Sequence, residues 1–372
     1  MALRILVADD STVFRRAITD ALGSIPDVQV VGVAQNGKIA LQKVLALKPD
    51  LLTLDMEMPE MDGLAVLDAL KQAGSDTSVM VISAVTLRGG RLTMQALEKG
   101  AFDFLTKPQG KDASESKTMM VRELAPRLRA LAHRRQIRSI LRPGAPGVGS
   151  SAPSLPNPYA QEAGERLHRE GVARSLGARP ELVLIGVSTG GPAALARMLP
   201  LLPKDIGVPI AVVQHMPPIF TQSLAESLTS KCSLRVREAA DGDKLEPGLV
   251  LIAPGGRQMR LASCQDALAR AQITDDPPEN NCRPAVDYLF RSAANAFPGR
   301  AMAVILTGMG NDGTLGLRLL KRRGCFTIAQ DEATSVVFGM PKAAIEAGVV
   351  DVVLPLDAIA SRILATVKGR GA

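Results

Sequence analysis

Short apolar runs, each followed by a stretch with apolar positions at helical spacing, recur through the first hundred residues. The runs at 3–8, 28–33, 50–54, 79–83 and 102–105 read as strands, with amphipathic helices between them. Five βα units in succession predict a parallel sheet covered on both faces. A helix is predicted over 114–141. The tract RPGAPGVGSSAPSLPNPY, 142–159, is dominated by Pro, Gly and Ser and reads as a flexible linker. From about residue 180 the alternation restarts. Strands are predicted near 182–186, 209–213, 235–238, 249–252, 301–306, 325–329 and 349–354. Helices are predicted at 192–199, 218–229, 284–296, 313–323, 341–346 and 356–367. This is a second, larger doubly wound α/β domain with a mostly parallel sheet. The boundaries implied are 1–108, 109–180 and 181–370, with no short internal repeat.

The chain has 372 residues, 46% hydrophobic and 22% charged, an ordinary globular composition for two domains. With no Trp and two Tyr it lacks the aromatic surface on which single-stranded nucleic acid stacks. The opening MALRILVADD is a strand rather than a signal peptide, and no run approaches about 18 uninterrupted apolar residues. The expectation is a cytosolic protein without membrane insertion. Cys232, Cys264, Cys282 and Cys325 are widely spaced and read as reduced structural cysteines. Histidines are too few and too far from them in sequence to suggest zinc. The net charge of +7 resides in residues 109–180, which hold 13 Lys/Arg against 6 Asp/Glu. The basic helix over 127–142 reads as a solvated linker helix rather than a nucleic-acid contact.

Working residues in open parallel sheets lie at the carboxyl ends of the strands. In the first domain those ends carry Asp9, Asp10, Asp55, Ser83 and Lys107. Three carboxylates on neighbouring strand ends repel one another unless a cation or proton intervenes, and hard oxygen ligands suit Mg²⁺. Lys107, before Pro108, supplies a point charge, and the Ser83 hydroxyl can contact a phosphoryl oxygen. Such a set can accept phosphate on a carboxylate.

The segments VADDS (7–11), LDMEMPEMDG (54–63), VISA (81–84) and FLTKP (104–108) closely resemble response-regulator receiver domains, over all of 1–108. The resemblance implies a flavodoxin-like fold and phosphorylation of Asp55 by a partner histidine kinase. It further implies Mg²⁺ held by Asp10, Asp55 and the backbone carbonyl of Glu57, with Asp9 helping through water. Ser83 and Lys107 would sense the phosphoryl group, and Phe104 matches the family's switching aromatic position.

In the second domain, LVLIGVSTGGP (182–192) runs from a buried strand into a glycine turn, with Pro192 suited to the first turn of a helix. Gly186-Val187-Ser188-Thr189-Gly190 fits the G-x-S-x-G turn that lifts a serine above a sheet; it also loosely fits the glycine turns that seat phosphates. A nucleophilic Ser188 needs a base, and the chain has three histidines. His133 lies in the basic helix and His168 in the linker; His215 follows the strand IAVVQ at its carboxyl end. A third group must orient the imidazole. Strand AMAVIL (301–306) empties into TGMGNDG (307–313), which delivers Asp312. Asp241, Asp243 and Asp287 follow no long buried strand so directly. The order Ser–His–Asp is not that of α/β-hydrolases.

The segments GVSTGGP, QHMPP and TGMGNDG resemble the catalytic domain of the chemotaxis protein-glutamate methylesterases, the CheB family. APGG (253–256), RPAVDYLF (283–290) and VVFGMPKAA (336–344) extend the likeness across about 180–370. The resemblance implies hydrolysis of γ-glutamyl methyl esters, and of glutamine side chains, on methyl-accepting chemotaxis receptors. Ser188 would be the nucleophile, His215 the base and Asp312 its orienting acid. Backbone N–H groups near Thr189 and Met309 would meet the oxyanion, with no cofactor in this domain. Gln258 stands where many family members carry a histidine, and the linker is longer than the family's compact one. A regulator whose basic helix and output domain bind nucleic acid is the rival reading, but no helix-turn-helix pattern supports it. A Rossmann-type dinucleotide site is another, and it lacks the G-x-G spacing and the acidic residue expected where His215 stands.

Overall fold

A computed structural model describes residues 2–107, 112–141, 179–264 and 269–369. Pro108, the tract 142–159 and His168 lie outside the described residues.

The first sheet contains β1 (Leu3–Ala8), β2 (Val28–Ala34), β3 (Leu51–Asp55), β4 (Ser78–Ser83) and β5 (Asp103–Thr106). All are parallel, in the order β2-β1-β3-β4-β5. Strand order reverses between β1 and β3, so their carboxyl ends open a crevice, and Asp9 and Asp55 stand there. Four helices, α1 (Thr12–Leu22), α2 (Gly37–Leu47), α3 (Gly63–Gln72) and α4 (Leu87–Glu98), alternate with the strands. Ser11, Asn36, Asp62 and Thr86 cap them by accepting backbone N–H groups that would otherwise lack partners.

The helix read as a solvated linker is α5 (Ala113–Leu141). Its first part belongs to the receiver layer: Met120, Leu124, Leu128 and Leu131 are buried against Ile5, Val7 and Leu22. Part of its basic character is spent on fixed partners. Arg127 pairs with Asp103 at 3.0 Å and with Glu123 at 2.7 Å, and Arg135 pairs with Asp50 at 2.8 Å. His133 is exposed on this helix.

The second sheet has seven strands in the order β14-β13-β12-β6-β7-β9-β8, all parallel. They are β6 (Leu182–Val187), β7 (Ile210–Gln214), β8 (Arg235–Glu238), β9 (Leu249–Ile252), β12 (Ala301–Ile305), β13 (Phe326–Gln330) and β14 (Val352–Leu354). β6 and β12 are buried along their whole length, as a sheet covered on both faces requires. An antiparallel pair outside the predicted strands, β10 (Gln258–Ala262) and β11 (Arg270–Thr274), forms a separate ribbon. β6 sits between β12 and β7, so the loops leaving three adjacent strands converge. The helices are α6 (Gly191–Met198), α7 (Phe220–Thr229), α8 (Val286–Ala296), α9 (Thr314–Arg322), α10 (Met340–Glu346) and α11 (Leu356–Lys368).

The two domains are packed together. α4 lies on α6 and α7, and Phe104 stacks on Phe220 with ring centroids 4.8 Å apart. Such a pair contributes about 0.5–1.5 kcal/mol beyond its area. Arg91 pairs with Glu226 at 3.4 Å, while Glu98 takes both Lys231 and the Ser227 hydroxyl. The helices approach closely because position 90 has no side chain: a Cβ there would lie 2.4 Å from Ser223 Oγ and 3.2 Å from its Cβ. Gly90→Leu should therefore part the domains and raise the radius of gyration in small-angle scattering. An unchanged scattering curve would show that α4–α7 packing does not hold them.

Candidate active site

In the amino-terminal crevice, Lys107 Nζ lies 2.8 Å from Asp55 Oδ2 and 3.1 Å from Asp9 Oδ2. Ser11 N–H donates to Asp9 Oδ1 at 2.9 Å, while the buried Asp9 Oδ2 has Lys107 as its one cationic neighbour. Burial raises the pKa of both carboxyls, against the pull of Lys107. Burial also depresses Lys107, but its two carboxylate partners outweigh that and raise it. Donor oxygens of Asp9, Asp10 and Asp55 lie within 4.8 Å of one another. Three carboxylates served by one ammonium, in an all-oxygen set, fit a hard divalent cation such as Mg²⁺. Ser83 Oγ donates to Gly89 O at 3.2 Å and is buried beside this crevice. Glu57 N–H donates to Asp55 Oδ1 at 3.5 Å, and the Glu57 side chain turns away to Arg88.

The second site stands at the carboxyl ends of β6, β7 and β12. Ser188 leaves β6 with its N–H donating to Thr307 O at 3.0 Å; its carbonyl accepts from Gly191 N–H at 2.8 Å and from Gln214 Nε2 at 3.0 Å. Gly308 allows the β12 loop to lie against it, since a Cβ there would fall 2.8 Å from Ser188 Cβ. Gly190, at φ 77°, leaves room for Val336, which a Cβ would approach to 2.5 Å.

His215 Nε2 and Asp312 Oδ2 are 2.8 Å apart. Asp312 sits at the amino end of α8, where N–H groups are free to bind an anion. Val286 N–H donates to Oδ2 at 2.7 Å; Asp287 N–H at 2.9 Å, Gly313 N–H at 3.0 Å and Asn280 Nδ2 at 2.9 Å donate to Oδ1. Burial pushes the Asp312 pKa up, but His215 and these N–H groups more than reverse it, and the carboxyl is held below its usual range. Asp287 behaves oppositely. Burial and the neighbouring Asp312 charge push it to about 6, despite the Gly316 N–H and Asn280 that it accepts. For His215, burial favours the neutral ring, but Asp312 and Cys282 prevail and raise its pKa to about 10.

His215 Nδ1, the nitrogen that Asp312 does not hold, lies 3.6 Å from Cys282 Sγ. The ring is thus oriented by Asp312 and faces a thiol in this arrangement. The Ser188 hydroxyl makes no hydrogen bond among the described residues. Cys282, read from sequence as merely structural, is brought beside the imidazole by a turn in which Asn280 and Asn281 adopt φ 51° and 60°. Spacing along the chain held no signal for it. Gln258 is buried and braces this turn, donating to Pro277 O at 3.1 Å and accepting Ala285 N–H at 2.9 Å. Neither the Thr189 nor the Met309 backbone N–H is engaged among the described residues.

The receiver reaches this site. Thr189 Oγ1 donates to Asp103 Oδ2 at 3.1 Å, and Met309, Val336 and Val337 pack into the receiver's hydrophobic cluster.

Two family models match the chain: "Response regulator receiver domain" over 5–117 and "CheB methylesterase" over 183–363. A protein-glutamate methylesterase/protein-glutamine glutaminase of Desulfotalea psychrophila is 47% identical over 98% of this chain and 99% of its own length. One from Moorella thermoacetica is 42% identical over 99% of each. The solved catalytic domain of Thermotoga maritima CheB is 45% identical, covers 50% of this chain and 98% of its own, and superposes with TM-score 0.49. Among the described residues, no helix is long and apolar enough to cross a membrane.

The His215 proton is a testable consequence. A raised histidine pKa stabilises the fold fully below its unfolded value of 6.5, and that contribution is lost as pH rises towards 10. The His215 ring should therefore remain protonated at pH 8 by NMR, and Asp312→Asn should let it titrate at lower pH. A wild-type ring neutral at pH 7 would contradict this electrostatic picture.

Proposed function

The chain belongs to the CheB methylesterase family, and on that premise we propose that Ser188, His215 and Asp312 carry out its hydrolysis. It is an enzyme, a protein-glutamate methylesterase and protein-glutamine glutaminase with a regulatory receiver domain, of the kind that serves chemotaxis. The observation that carries the residue assignment is the His215–Asp312 pair, fastened to a helix amino end at the strand end next to Ser188.

Ser188 Oγ attacks the γ-carbonyl of a methylated receptor glutamate while His215, through the nitrogen Asp312 does not hold, takes its proton. The developing oxyanion turns to the unengaged N–H groups of Thr189 and Met309, each worth about 10²–10³ in rate if well aimed. Methanol leaves with the proton from His215; ammonia leaves when the substrate is glutamine. Water then cleaves the acyl-enzyme, with His215 again accepting a proton, and the receptor glutamate is released. His215 must be neutral to accept this proton, and the neighbouring Asp312 raises its pKa.

Asp55 receives the phosphoryl group from a chemotaxis-type histidine kinase in the cytosol. Asp10, Asp55 and the Glu57 carbonyl, with Asp9 beside them, would hold Mg²⁺, which would supply neutralising charge there. Lys107 leaves its pairing with Asp9 and Asp55 for the phosphoryl oxygens, and Ser83 joins it. β5, which ends beside Lys107, then withdraws Asp103 and Phe104 from Thr189 and Phe220. The shift needs only a difference in phosphoryl affinity between docked and undocked arrangements.

Methanol release from methylated receptor fragments tests the reading. Wild type should respond to a small phosphodonor with Mg²⁺, and Ser188→Ala should lose on the order of 10⁶ in kcat. Asp103→Ala should raise unphosphorylated turnover roughly tenfold, the worth of one charged hydrogen bond. Turnover that survives in Ser188→Ala would refute the nucleophile, and a silent Asp103→Ala would refute the latch.

A further inference from the structure

Apart from His215, Asp312 is held by three backbone N–H groups and one side-chain donor among the described residues, the Asn280 amide. The backbone donors are fixed by the amino end of α8 and by the Asp312 loop itself. Asn280 is different: it is exposed, at φ 51°, on the turn that precedes α8. Its amide is kept in place by a second carboxylate. Asn280 Nδ2 donates to Asp312 Oδ1 at 2.9 Å and to Asp287 Oδ2 at 3.0 Å. An ionised carboxylate only accepts, so the two together dictate that the NH₂ edge of Asn280, and not its oxygen, faces inward.

Asp287 is anchored on its other side as well. Its Oδ1 accepts Gly316 N–H at 2.7 Å, in the first turn of α9, the helix into which the Asp312 loop runs. A Cβ at position 316 would lie 2.4 Å from Phe290 Cβ and 3.3 Å from Asp287 Oδ1, so the glycine lets α9 settle on α8. The turn is fastened to α8 a second time, where Arg291 pairs with Glu279.

This arrangement is costly. Asp287 is buried beside another carboxylate, and burial with the Asp312 charge lifts its pKa to about 6, which leaves it largely ionised at neutral pH. A neutral residue at 287 would avoid both penalties. Stability therefore does not explain a carboxylate there, whereas its acceptor oxygens do. We propose that Asp287 is a positioning residue for the hydrolysis: it clamps the Asn280 amide against Asp312 and so holds the His215 ring in the orientation that Ser188 requires. This rests on the triad reading above.

The test compares methanol release by the full chain, with phosphodonor and Mg²⁺, for wild type, Asp287→Asn, Asn280→Gly and the double variant. Asparagine at 287 can still accept Gly316 N–H but turns its own NH₂ towards Asn280, so only that arm of the clamp is broken. Glycine at 280 keeps the left-handed backbone and removes the amide. Each single variant should lose roughly ten- to hundredfold in kcat, the scale on which small misplacements of reacting groups act, with KM unchanged in Asp287→Asn. The double variant should lose no more than the worse single one, because both substitutions break the same arm. The downfield proton NMR signal of the His215 ring N–H held by Asp312 should broaden in all three. Full kcat with a sharp ring signal in folded Asp287→Asn would overturn the proposal, as would losses that multiply in the double variant. Should Asp287→Asn fail to fold, Asn280→Gly on its exposed turn decides by the same two readouts. If wild type releases no methanol, the triad reading fails, and the ring signal alone decides whether Asp287 positions the His215–Asp312 pair.

Discussion

The hydrogen bond from Thr189 to Asp103 joins the loop carrying Ser188 to the strand that ends beside Lys107. β5 is four residues long. Its first residue holds the serine loop, its second stacks on Phe220, and the lysine just past its end bridges Asp9 and Asp55. A shift of one short element is therefore felt at both sites. Arg127 from α5 holds Asp103 at 3.0 Å, so this helix supports the Asp103–Thr189 contact. Gly90 contributes by letting α4 settle on α7.

Both sites are built on buried charge, and each is compensated in its own way. In the receiver crevice one ammonium serves two buried carboxylates, with Asp10 within 4.8 Å of both, so negative charge exceeds positive. That shortfall makes the crevice receptive to a cation. In the catalytic site the anion is satisfied many times over by helix N–H groups, Asn280 and His215. These donors lower the Asp312 pKa, and the carboxylate in turn raises that of His215.

Alternation of apolar runs and helical stretches made both parallel sheets legible, because buried strands leave continuous Val/Ile/Leu runs such as 182–185 and 304–306. The β10–β11 pair escaped because Arg260, Arg270 and Gln272 break its apolar pattern on a half-exposed ribbon. At the sites, strand-end logic led to Asp9, Asp55, Lys107, Ser188, His215 and Asp312, each at the end of a strand, just beyond one or in the loop that follows one. It could not reach Cys282, whose neighbour His215 is 67 residues away. Nor could it reach Asp103 with Thr189, 86 residues apart, or the Phe104–Phe220 stack. Those meetings depend on loop conformation and domain packing, which periodicity does not encode.

Hydrogen–deuterium exchange on the full chain, with phosphodonor and Mg²⁺, tests most directly whether β5 couples the two sites. Faster exchange over 187–191 and 220–229, seen in wild type and absent from Asp55→Asn, is the result this account predicts. Stoichiometric phosphorylation of Asp55 with unchanged exchange in both segments would contradict it.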